Sequence, residues 1–169
     1  MAYAKFLSHY GNPEDAIRIV QPSATLPIRA ESAEANAVLA DALWRIARAA
    51  EAKSRFDAVL AFDPGNATAL RGRSELELRT GNATAAVLDA QKLVTVLPND
   101  ADARLLLARA FSAAGNKPWM ERTLWTAFQD IPANENILAA LQSTKQGDVA
   151  DLQSEFARQR DNKLNRGLL

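Results

Sequence analysis

The sequence predicts an all-α solenoid of antiparallel helix pairs, and three observations carry that prediction. Pro64, Pro98 and Pro132 stand 34 residues apart, each in a similar phrase: Phe62-Asp63-Pro64-Gly65-Asn66, Leu97-Pro98-Asn99-Asp100 and Ile131-Pro132-Ala133-Asn134. Gly81-Asn82 and Gly115-Asn116 recur at the same interval, midway between the prolines. Alanine, the strongest helix former, supplies 34 of the 169 residues, and no run alternates Val, Ile and Thr as a strand would.

The elements follow in chain order. Met1 to Tyr10 reads as an amphipathic helix. Gly11-Asn12-Pro13-Glu14-Asp15-Ala16 reads as an inter-helix turn and the start of a second helix. Pro22 cuts that helix short and, with Pro27, makes residues 22–32 an irregular link, so 1–32 is a partial repeat and link. Three full registers follow over 33–134: Ala33–Asn66, Ala67–Asp100 and Ala101–Asn134. Each is helix, Gly-Asn turn, helix, Pro turn. Glycine caps a helix in the left-handed region at low steric cost, and the Asn beside it serves as N-cap of the next helix. Proline cannot continue a helix and pushes the preceding residue out of helical backbone. Residues 135–169 are a partial repeat with a Gly147-Asp148 turn and a C-terminal capping helix. In that helix Asp148 is the N-cap, Val149, Leu152 and Phe156 share one face, and Gln153, Arg158, Gln159 and Arg160 form the polar back a solenoid end needs.

In this register the residues resemble the tetratricopeptide repeat family, over residues 33–134 most fully. Ala40, Ser74 and Ala108 hold the small-residue place where the two helices of a repeat cross. Ala52, Ala86 and Met120 follow twelve residues on. Phe56, Ala90 and Leu124, then Val59, Leu93 and Ala127, hold the apolar core places of the second helix. The resemblance implies a right-handed superhelix, and the terse, Ala-rich repeats look like those of bacterial arrays. There are departures. Asn36, Leu70 and Arg104 replace an early aromatic, and Ala47 stands where a turn glycine belongs. Arg73 and Glu77 fall on core places, where either an i, i+4 ion pair between them or a local rotation of that helix would accommodate them. The array begins partway through a repeat, as a segment of a longer protein would.

Composition and motifs exclude several functional classes. Lys plus Arg and Asp plus Glu both total 20. A net basic footprint for nucleic acid is missing, and no block of like charge marks a membrane anchor. The chain has no cysteine, so disulfides, Cys-ligated zinc and thiol nucleophiles are out, while cytoplasm and periplasm both remain open. No apolar run is long enough for direct membrane insertion. His9 is the only histidine and reads as a surface residue; with no metal, phosphate or cofactor motif, the chain is expected to be no enzyme and to need no cofactor. The Asn66-Ala67-Thr68 and Asn82-Ala83-Thr84 triplets read as caps rather than glycosylation sites. Trp125 is expected to pack on the following helices and Trp119 to be more exposed.

What remains is a protein–protein interaction scaffold. By the family resemblance, a concave groove is lined by Ala37, Asp41, Trp44, Arg45, Arg71, Glu75, Leu78, Arg79, Leu105, Arg109 and Ser112. Arg45, Arg71, Arg79 and Arg109 would read an acidic partner peptide, with Trp44 and Leu78 as its apolar anchor. The groove places that in some relatives hold a chaperone's C-terminal carboxylate carry Ala37, Asp41, Gly72, Asp102 and Leu106, which do not suit it. Alternatives are a docking segment of a larger enzyme or of an envelope or exopolysaccharide assembly protein, and self-association through the open ends.

Overall fold

In a computed structural model, the structure describes residues 1–144 and 149–165. The expected Gly147-Asp148 turn, the Asp148 cap and the Val149 side chain lie outside the described residues. Ten α-helices and no strand appear among the described residues: α1 (Ala2–Tyr10), α2 (Pro13–Val20), α3 (Ala30–Arg45), α4 (Ala49–Phe62), α5 (Ala67–Arg79), α6 (Ala83–Val96), α7 (Ala101–Ala113), α8 (Lys117–Asp130), α9 (Glu135–Thr144) and α10 (Val149–Asn165). A 3-10 turn at Gln21–Ser23 and a cis Leu26–Pro27 bond form the link before α3.

The odd-numbered helices pack on one another in succession, α1 on α3, α3 on α5, α5 on α7 and α7 on α9. Each of α2, α4, α6 and α8 packs between two odd helices and forms the outer layer. The turns follow the punctuation. Gly81 and Gly115 both adopt positive φ, +82° and +72°. Ala47, at the place of the missing glycine, is forced into the same region at φ 64°. Asn12, Asn66, Asp100, Asn116 and Asn134 each accept a hydrogen bond from a backbone N–H of the helix they open. Asn82 is the exception; its side chain makes no capping bond, so the capping role expected of it fails.

Small residues let the helices cross closely. Ala40, Ser74 and Ala108 are buried, as are Ala52 and Ala86. The Ser74 hydroxyl donates to the Ala86 carbonyl at 3.0 Å, tying the two crossing points of one helix pair together. Phe56, Ala90, Leu124, Val59, Leu93 and Ala127 are all buried. Gly72, inside α5, is explained by Phe56. A Cβ added there would lie 2.3 Å from the Phe56 Cζ, so only glycine admits the ring against the α5 backbone.

Arg73 and Glu77 do not pair with each other. Each turns instead to the outer layer. Arg73 donates to Asp89 of α6 at 2.6 and 2.7 Å and to Asp57 of α4 at 2.8 Å. Hydrogen bonds to Asp89, then to Asp57, outweigh burial and raise the guanidinium's pKa, so it stays charged. Buried Glu77 accepts from Lys53 of α4 at 3.1 Å. Two charged residues at core places thus become inter-helix ties, because their partners lie across the crossing and not along the helix.

Two measurements check this packing. Phe56→Ala should cost roughly 3–5 kcal/mol in denaturant unfolding, whereas Arg48→Ala, an exposed surface change, should cost within about 0.5 kcal/mol. Equal costs would place Phe56 outside the core. At the turns, Gly115→Ala should destabilise by around 1 kcal/mol and Ala47→Gly should stabilise by up to about that much, because both act on left-handed backbone. A stabilising Gly115→Ala would show that the helix runs on through that turn.

Candidate binding groove

The inner faces of the odd helices enclose two adjoining cavities. One, of about 500 Å³, is lined from α1 (His9, Tyr10), α5 (Arg71, Glu75), α7 (Asp102 to Ser112) and α9 (Ala140, Ser143, Thr144), with Met120 and Leu124 of α8 in its floor. The other, of about 390 Å³, lies between α1 (Lys5, Phe6), α3 (Val38, Asp41) and α5 (Thr68, Arg71, Gly72). His9, Tyr10, Arg71 and Asp102 line both, so the two form one groove that runs from α1 to α9. On α7 the lining residues Asp102, Leu105, Leu106 and Arg109 follow i, i+3, i+4, i+7, the spacing of one helical face.

Polar contacts hold α1 to this groove. Lys5 pairs with Glu34 at 2.5 Å, Ser8 donates to Asp41, and Arg45 donates to His9 Nδ1 at 2.6 Å. Arginine has donors only, so the imidazole accepts through Nδ1. Arg45 also donates to Asp41 at 3.1 Å and approaches Glu75 of α5 at 3.7 Å. Glu34 is a second junction. It accepts from Asn66 at 3.0 Å and from Thr68 at 2.8 Å, linking α3 to α5. Burial pushes the Glu34 carboxyl up, but the hydrogen bonds from Lys5, Thr68 and Asn66 outweigh it and hold the group below its usual range.

The structure separates the residues expected in the groove. Asp41, Arg71, Glu75, Leu105, Arg109 and Ser112 line the cavities. Ala37, Trp44, Arg45, Leu78 and Arg79 line neither of them. Ala37 is fully buried and Trp44 is 8% exposed, with the Arg79 guanidinium 4.7 Å above its ring. Trp44 is therefore a covered core residue and not an open anchor. The four arginines are not equivalent either. Arg45 and Arg79 are engaged as described, Arg71 pairs with Asp100 at 3.0 Å, and Arg109 is exposed and pairs with no carboxylate among the described residues. The groove's open aromatics come from α1, where Phe6 is 56% and Tyr10 74% exposed with ring centroids 5.8 Å apart. Sequence reasoning missed α1 because the irregular link takes it out of the 34-residue register. The two tryptophans of α8 are both half exposed; Trp119 stacks on Phe111 and Trp125 on Phe128 of its own helix.

This architecture is a tetratricopeptide-like helical-repeat solenoid. It is similar to solved structures of MamA. One MamA crystal structure superposes with a TM-score of 0.70 over 100% of this chain and 99% of that one, at 13% identity. MamA residues 41 to the end from Desulfovibrio magneticus RS-1 gives 0.68 over 97% and 93%, at 19% identity. An RS-1 MamA double mutant gives 0.69 over 96% and 93%, at 18%. At these identities the likeness is one of fold. No protein-family model matches the chain, and no curated protein matches it in sequence. No helix among the described residues is long and apolar enough to cross a membrane.

The Glu34 junction makes a pH prediction. A carboxyl depressed in the folded state stabilises the fold above its unfolded titration range, and that contribution is lost as pH falls through the lower folded value. Glu34→Gln should lower the thermal midpoint near about pH 7, and the gap to wild type should close toward about pH 3. A gap of the same size at both pH values would mean that the Glu34 charge is not what ties α1, α3 and α5 together.

Proposed function

We propose that the chain is a non-enzymatic binding module that holds an extended segment of a partner protein in its concave groove, as part of a bacterial-type tetratricopeptide array. The observation that carries this is the continuity of the two cavities, which share four lining residues and run across successive inner helices. Concave sites with an apolar floor and a few convergent polar groups are where proteins take up ligands. Here the floor is Leu105, Leu106, Met120 and Leu124, and Phe6 and Tyr10 supply open aromatic surface at the α1 side. Aromatic anchors of this kind carry much of the energy of peptide interfaces. The polar groups of the groove support binding over catalysis. His9 and Asp41 both accept from the Arg45 guanidinium, so the histidine and its neighbouring acid are held by one donor group instead of pairing with each other as acid and base. The cysteine-free chain suits either cytoplasm or periplasm.

A photoreactive amino acid placed by position tests the reading in cells that make the chain. At Ser112, in the groove, it should cross-link one partner, and Tyr10→Ala together with Phe6→Ala should reduce the yield severalfold. At Leu88, exposed on the outer helix α6, it should not. The same partner captured equally at Leu88, with no effect of the α1 changes, would move the binding surface to the outer layer.

A further inference from the structure

The groove does not present uniform charge. Its carboxylates and guanidinium groups on α3 and α5 are used up internally, Arg45 with Asp41 and Glu75, and Arg71 with Asp100. On α7 the situation differs. Asp102 and Arg109 are both exposed, both line the larger cavity, and neither pairs with an opposite charge among the described residues. They are seven residues apart on one face of the helix, which sets them about 10 Å apart along its axis at roughly 1.5 Å per residue. Between them on that face lie Leu105 and Leu106, the first partly open to the cavity.

We infer that the groove selects a partner segment carrying one acidic and one basic side chain three residues apart, with an apolar side chain between them. The inference rests on the groove being the binding surface. A chain in the polyproline II form advances about 3.1 Å per residue with three residues per turn, so side chains three apart share one face and lie about 9 Å apart, close to the separation of Arg109 and Asp102. The segment's carboxylate meets Arg109, which can hold it with two parallel N–H donors. Its ammonium or guanidinium meets Asp102. Of the two side chains between them, which turn to the flanks, the apolar one packs beside Leu105. A polyacidic segment is rejected at Asp102, whose carboxylate pairs with no cation among the described residues. This departs from the acidic ligand expected from four arginines, because three of the four are occupied within the chain. Opposite charges set like this discriminate by repelling wrong partners as much as by attracting the right one.

The test uses four alanine-flanked peptides, capped at both ends so that only side chains carry charge, with cores Glu-Ala-Leu-Lys, Lys-Ala-Leu-Glu, Glu-Ala-Leu-Glu and Lys-Ala-Leu-Lys. The single histidine lines both cavities, so its imidazole proton resonance in NMR reports groove occupancy directly. Both mixed-charge peptides should move the His9 resonance and bind about fivefold tighter than either like-charge peptide at low salt. Arg109→Glu should shift the preference to Lys-Ala-Leu-Lys, and Asp102→Lys to Glu-Ala-Leu-Glu. If all four peptides move the resonance with equal affinity, and the substitutions change nothing, the charge rule is wrong while the groove still binds. If none moves it, both the charge rule and the groove as binding surface are contradicted.

Discussion

The contact between the Phe56 ring and the backbone at Gly72 is the constraint from which the rest of the architecture follows. It joins the outer helix of one pair to the inner helix of the next, so it sets how closely successive pairs stack. Around it the core is built from small residues, Ala40, Ala52, Ala69 and Ala86, that admit close crossings without leaving voids. A glycine in a helix interior weakens it by about 1 kcal/mol relative to alanine. Its presence at position 72 is accounted for by the large side chain it accommodates. Gly72 also lines the smaller cavity, so the contact lies directly beneath the groove.

Charge is divided between the two layers to match. On the outer side, Arg73 with Asp89 and Asp57, and Lys53 with Glu77, tie α4, α5 and α6 across their crossings. On the inner side, Lys5, Ser8 and His9 dock α1 onto Glu34, Asp41 and Arg45 of α3. α1 buries only Ala4 and Ser8, so its attachment is largely polar. The consequence is a groove whose α1 and α3 charges are satisfied within the chain, leaving the α1 aromatics Phe6 and Tyr10 and the α7 charges open to a ligand.

The solenoid was legible in the sequence because its signals are local. A turn glycine, a capping Asn and a helix-stopping Pro each act within a few residues, and a fixed period repeats them. Ala47 shows how far this reaches, since the period named its position as a turn although the residue there is not glycine. The groove was less legible because its residues are set by contacts between helices. Nothing local to Trp44 says that Arg79, 35 residues on and on the next inner helix, will cover it. Arg73 and Glu77 looked like partners by spacing, yet their partners come from other helices. The α1 residues Phe6, His9 and Tyr10 stand outside the repeat period, and the link through Pro22 and Pro27 hides their register.

The central physical claim is that the Phe56 ring needs the missing Cβ at position 72, and a double-mutant cycle in denaturant unfolding addresses it most directly. The four proteins are wild type, Gly72→Ala, Phe56→Leu and the double variant. Gly72→Ala should be strongly destabilising in the wild-type background, since the added Cβ would lie 2.3 Å from the Phe56 Cζ. In the Phe56→Leu background, which lacks the ring's far atoms, the same change should be close to neutral or stabilising, as alanine's helix preference is worth about 1 kcal/mol. An equal cost of Gly72→Ala in both backgrounds would contradict the account, because the glycine would then be required by something other than the ring.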